Sequence, residues 1–100
     1  MKKQRTGGNN NMTANEMFNK LGYEQYSCGE IEHYDKYLDL GWVRIMFDKE
    51  NLTLYIVYDS GFALYEQTIE QMEPEEREAI HQRLKELGWH FRKRKYVFMD

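Results

Sequence analysis

Three close neighbours in this chain, Cys28, His33 and Asp35, are the residue types that a metal ion or a thiol nucleophile with its base would use. Their spacing does not support either use. Cys28 stands alone, His81 and His90 are scattered, and neither a C-x2-C nor an H-x3-H pair occurs, so the ligand spacing of a metal centre is missing. A Cys–His pair also needs a pocket and an orienting third group, and nothing in the sequence marks them. His33 is therefore expected on the surface of a strand. Carboxylate pairs are too common among 17 acidic residues for one to stand out, and Gly7-Gly8 precedes asparagines rather than a strand-to-helix turn that would cradle phosphate. No catalytic, cofactor-binding or metal-ligating residue is assigned, and no enzymatic activity is expected.

Binding chemistry is easier to find. Arg92, Lys93, Arg94 and Lys95, flanked by Phe91, Tyr96 and Phe98, combine cations that neutralise phosphates with rings that stack on bases. The competing reading is a solvated tail, or a strand whose Phe and Val pack inward. Glu70, Glu73, Glu75, Glu76 and Glu78 form an acidic group able to imitate phosphates toward a basic groove. The same carboxylates also suit the start of a helix, where the backbone dipole favours negative charge. Trp42, Tyr55 and Tyr65 are large amphipathic rings of the kind that anchor protein interfaces, unless early strands, a helix or a second copy of the chain cover them.

These side chains need a scaffold, and Trp42–Glu66 supplies its centre. Apolar-rich runs at 42–47, 52–58 and 62–66 are separated by turn-forming segments, which predicts an antiparallel meander. A four-residue loop at Asp48–Asn51 pairs Phe47 with Leu52, Ile45 with Leu54 and Val43 with Ile56. A three-residue loop at Asp59–Gly61 pairs Tyr58 with Phe62 and Ile56 with Leu64. Both place Val43, Ile45, Phe47, Leu52, Leu54, Ile56, Tyr58, Phe62 and Leu64 on one face. Trp42, Arg44, Met46, Thr53, Tyr55, Val57, Ala63 and Tyr65 then share the other.

Earlier in the chain, Thr13-Ala14-Asn15-Glu16 is a capping box, predicting a short helix with Met17, Phe18 and Leu21 buried and Gly22 as its stop. Tyr23–Cys28 and Ile31–Leu38 are expected as strands joined near Gly29-Glu30, both toward the sheet edge, where their polar residues are tolerated. Pro74 suits a first helical position, and a helix over 74–87 carries Ile80, Leu84 and Leu87 as its apolar stripe. Gly88 closes it and Trp89 packs beyond. Thr68–Glu73 is expected as a turn, because a helix begun at Thr68 would place Pro74 in its interior. The fold class is thus α+β: a short N-terminal helix, an antiparallel meander sheet of about five strands, and a C-terminal amphipathic helix on one face. Ile80, Leu84 and Leu87 should meet Ile45, Leu54 and Ile56 there.

One hundred residues suit a single domain, expected over 13–89, with a disordered polar leader at 1–12 and a basic-aromatic tail or extra strand at 90–100. The net charge of −3 conceals an uneven layout: residues 6–89 hold 7 basic and 16 acidic side chains, while both ends are basic. An acidic body disfavours nucleic acid and suits a basic partner. A single cysteine fits a reducing cytoplasm, and neither a signal peptide nor a membrane-spanning apolar stretch is recognisable.

At Thr13-Ala14-Asn15-Glu16-Met17-Phe18, Leu21-Gly22-Tyr23-Glu24, Phe47-Asp48-Lys49 and Glu86-Leu87-Gly88-Trp89 the chain resembles small proteins of phages and prophages of Gram-positive bacteria. The resemblance spans 13–89 and leaves out both basic ends. It implies the host cytoplasm and an accessory role, and carries no site residues. The expected function is a non-catalytic module that binds or inhibits a host or phage protein through its acidic or aromatic surface, with a homodimer among its possible assemblies. The alternative is a nucleic-acid-binding accessory protein that uses the basic tail.

Overall fold

The computed structural model describes residues 12–89. In order come α1 (Ala14–Lys20), β1 (Glu24–Cys28), β2 (Ile31–Tyr37), β3 (Trp42–Asp48), β4 (Thr53–Asp59), β5 (Leu64–Glu66), a 3-10 turn (Ile69–Gln71) and α2 (Pro74–Leu87). The five strands form one antiparallel sheet in sequence order, so the α+β meander expected from the sequence is the fold observed. The leader up to residue 11 and the tail, including Arg92–Lys95, lie outside the described residues.

The helix boundaries follow from local chemistry. Thr13 Oγ1 accepts the Glu16 amide at 3.1 Å and Glu16 returns a carboxylate oxygen to the Thr13 amide at 2.9 Å, which starts α1. Pro74 opens α2 without wasting an amide. At its far end Gly88 takes the left-handed conformation (φ 74°); its amide reaches Lys85 O and that of Trp89 reaches Leu84 O, each over 3.0 Å. That pair of bonds satisfies carbonyls the last turn would leave open.

Both helices pack on one face of the sheet. There Tyr34, Val43, Ile45, Phe47, Leu54 and Ile56 meet Phe18 of α1 and Ala79, Ile80 and Leu84 of α2, with Leu87 partly buried alongside. Phe18 stacks on Tyr34 with ring centres 4.1 Å apart. Ile69 and Met72, from the segment read only as a turn, close the core before α2. The predicted contact of α2 with Ile45, Leu54 and Ile56 thus sits within a wider cluster that Tyr23 and Tyr34 also enter.

Two registers differ from expectation. Asp48 pairs with Thr53, so Phe47 faces Leu54 and Ile45 faces Ile56, two residues from the predicted pairing. An even slip keeps every strand residue on its face. It leaves Leu52 in the loop at φ 53° and 59% exposed instead of in the core. The Asp48 carboxylate drives this loop by accepting the amides of Glu50 and Asn51 and the Asn51 side chain.

The second slip is odd. Asp59 pairs with Leu64 and Tyr58 with Tyr65, so β5 is turned over relative to the predicted pairing. Phe62 and Leu64 leave the core face, and both are exposed. The cause is the packing of two loops. A Cβ on Gly41 would strike the Asp59 carbonyl, and one on Gly61 the Leu40 carbonyl. Asp59 Oδ1 accepts the Gly61 amide, and Ser60 Oγ those of Phe62 and Ala63, which widens the turn around that contact. A further difference concerns the edge: β1 occupies it, whereas β2 is internal, paired on both sides.

Candidate functional site

The face away from the helices presents side chains in cross-strand rows. One row runs Tyr26, His33, Met46, Tyr55; the next Glu24, Asp35, Arg44, Val57, Glu66; a third Tyr37, Trp42, Asp59, Leu64. Residues in a row stand directly opposite one another on neighbouring strands and share a face. A charged row therefore lies between two rows rich in rings.

Asp35 is the pivot of the charged row. It is only 3% exposed although, among the described residues, no helix packs over it. Arg44 Nε and Nη2 donate to its two oxygens, each over 2.9 Å, and His33 Nδ1 lies 3.0 Å from Oδ1. Burial by itself pushes the Asp35 carboxyl upward, but the hydrogen bonds from Arg44 and His33 outweigh it and hold the group below the ordinary aspartate value. The same hydrogen bond raises Arg44. The Arg44 guanidinium also lies 5.3 Å from the centre of the Trp42 ring, and Tyr26 stacks on His33 at 5.3 Å. The Tyr26 hydroxyl donates to Glu24 at 2.7 Å, a bond that is the main reason its pKa is pushed up to about 12. Tyr26, His33 and Trp42 are thus each seated on an ion-paired or hydrogen-bonded partner.

Of the aromatic residues singled out in the sequence, Trp42 and Tyr55 stand on this open face, Trp42 half-buried and Tyr55 45% exposed. Arg44 lies between them on β3. Tyr65 does not join them. The odd slip of β5 puts it on the helix-bearing face, where it stacks on Tyr58 with ring centres 6.0 Å apart. Tyr26 and Tyr37 are the open-face rings that the sequence reading passed over. Once Tyr37 is set opposite Trp42 across the Leu38–Gly41 loop, Asp35 meets Arg44 and the remaining positions follow. A four-residue loop reading at that turn, like the one applied to Asp48–Asn51, would have found them.

The acidic group divides. Glu70, Glu73, Glu75 and Glu78 are exposed, but Glu76 is buried against the sheet. It accepts the Tyr23 hydroxyl at 2.6 Å and Lys36 Nζ at 3.3 Å, and its other oxygen takes the Glu73 amide at 3.0 Å. Burial first, and then this carboxylate, push the Tyr23 hydroxyl well above its ordinary value. Glu76 is therefore a structural carboxylate and leaves the candidate surface. A second buried carboxylate, Glu32, is gripped by Nε and Nη2 of Arg83, the latter over 2.7 Å, with Lys49 Nζ at 3.7 Å. These two pairs tie α2 to β2 at both ends. Glu86 accepts the Ala14 amide at 2.8 Å and so joins α2 to the start of α1.

Cys28, the remaining member of the Cys28–His33–Asp35 group, is exposed near the β1–β2 turn, while His33 is engaged with Asp35 and Tyr26. Among the described residues no group of three or more His, Cys, Asp or Glu side chains is arranged to hold a metal ion, and no helix is long and apolar enough to cross a membrane. No protein-family model, curated protein or solved structure matches the chain.

Proposed function

We propose that the protein is a non-catalytic interaction module whose open sheet face binds a partner protein. The observation that carries this reading is the set of rings that the two helices leave uncovered among the described residues. Both helices pack on one face of the sheet, and the other holds Tyr26, Tyr37, Trp42 and Tyr55, with β2 and β3 at its centre tied by the Asp35–Arg44 pair. Rigid aromatic side chains on a pre-ordered base lose little entropy on contact, which is why such rings dominate interface energetics. Exposed Glu70, Glu73, Glu75 and Glu78, together with the excess of acidic groups over residues 6–89, suit a partner with a basic patch. The role proposed is that of an accessory factor, in keeping with the resemblance to phage and prophage proteins, acting in a host cytoplasm on one host or phage protein.

The test is capture from host lysate with nuclease treatment in parallel, comparing wild type, a chain truncated after Trp89, Trp42→Ala/Tyr55→Ala, and Glu73→Gln/Glu75→Gln/Glu78→Gln. A nuclease-resistant protein retained by wild type and lost with the aromatic pair supports the reading. Loss with the Glu variant alone moves the contact to the acidic surface. Capture that depends on nucleic acid and on Arg92–Lys95 replaces the reading with nucleic-acid binding.

A further inference from the structure

β1 is the longer of the two edges of the sheet, five residues against three in β5, and it pairs with β2 at every residue from Glu24 to Cys28. All five residues are exposed on both faces. Among the described residues no strand pairs with its outer side. An edge of this kind presents a row of open amides and carbonyls, and natural sheets commonly blunt it with proline, lysine, a bulge or an inward charge. The strand Glu24-Gln25-Tyr26-Ser27-Cys28 has no proline or lysine, carries its one charge at its first residue, Glu24, and runs in unbroken register.

We propose that the outer edge of β1 pairs antiparallel with β1 of a second copy, about a two-fold axis through Tyr26, giving one continuous sheet across a dimer. The strand itself selects this occupant. Centred on Tyr26, the pairing uses all five residues and sets Glu24 opposite Cys28, Gln25 opposite Ser27 and Tyr26 opposite its mate. The two Glu24 carboxylates then stand at opposite ends of the strand pair. An axis through Glu24 would bring like charges face to face, and an axis through Gln25 or Ser27 would shorten the overlap. Such an interface is isologous, so it closes on a dimer and leaves no β1 edge for further growth. Tyr26 is 41% exposed beside its Glu24 and His33 partners, so its ring is placed to meet its symmetry mate. The contact is made by the backbone edge and does not depend on the partner proposed for the open face.

Residues directly opposite in an antiparallel pair come within about 4.5–5.5 Å at Cα, inside the reach of a disulfide. In the proposed register position 26 meets that geometry, whereas position 28 lies several residues from its own mate. The experiment compares full-length Tyr26→Cys/Cys28→Ser with wild type, whose only thiol is Cys28, under mild oxidation, and measures oligomeric state by sedimentation. Wild type is expected as a concentration-dependent dimer, with rapid cross-linking through position 26 and little through Cys28. Tyr26→Lys and Tyr26→Glu, folded by circular dichroism, are each expected to be monomers that form a heterodimer when mixed. A wild type that stays monomeric at the highest soluble concentration overturns the proposal. So does a dimer that cross-links through Cys28 instead of position 26, or one unaffected by either charge at position 26.

Discussion

Asp35 shows how a carboxylate can sit on the side of a sheet away from its helices and still be out of water. Arg44 covers it with two hydrogen bonds, His33 with a third contact, and Trp42 lies against the guanidinium in turn. Replacing Asp35 by Asn weakens a paired contact and leaves Arg44 short of a full partner. The expected cost is about 1–3 kcal/mol, read as a lower urea midpoint; an unchanged midpoint would show that the pair adds nothing to stability. The pH dependence has a definite sign. Because the folded carboxyl is held below its unfolded value of about 3.9, its contribution is complete above that value and is lost as pH falls through the folded one. Wild type should therefore lose stability on acidification more steeply than Asp35→Asn. Asp48 and Glu86, also held low, contribute equally in both proteins.

Among the elements, the hairpins are where sequence and structure part company. The helices were legible because their signals are local: a capping box at Thr13, proline at 74, glycine at 88, each acting within a turn of its own position. The strands were legible as runs, and β3 and β4 kept their faces because their register slipped by an even number. Turn position was not legible, since it depends on contacts from other segments, such as Gly41 against the Asp59 carbonyl and the Lys49 amide on Glu30 O at 2.8 Å. β2 hid its buried carboxylates for the same reason. Glu32 and Asp35 look like surface residues until Arg83 and Arg44 are placed beside them. Leu52 discriminates between the two registers. In the core its replacement by glycine would cost several kcal/mol. At φ 53° in an exposed loop the left-handed strain, about 1–2 kcal/mol, is relieved and offsets the extra freedom of the unfolded chain. Leu52→Gly is thus expected to leave thermal stability unchanged or slightly raised, and a large fall in melting temperature would restore the predicted register.

At the scale of the whole molecule the proposed function gives the two faces of the sheet separate duties. The helix-bearing face holds the fold together through Ile45, Ile56, Ile80 and their neighbours. Ile56→Asp puts an unpaired charge into that cluster and should abolish cooperative unfolding by calorimetry; a well-folded variant would displace the core. The open face contributes less to stability and presents Trp42 and Tyr55, so Trp42→Ala/Tyr55→Ala should unfold cooperatively, close to wild type. The central claim is that this face is the binding surface. Its most direct test measures partner retention by wild type and by Trp42→Ala/Tyr55→Ala under identical conditions, with both proteins shown to be folded. The expected result is one nuclease-resistant partner held by wild type and lost from the double variant. Equal retention by the two proteins, or no partner for either, would contradict the claim.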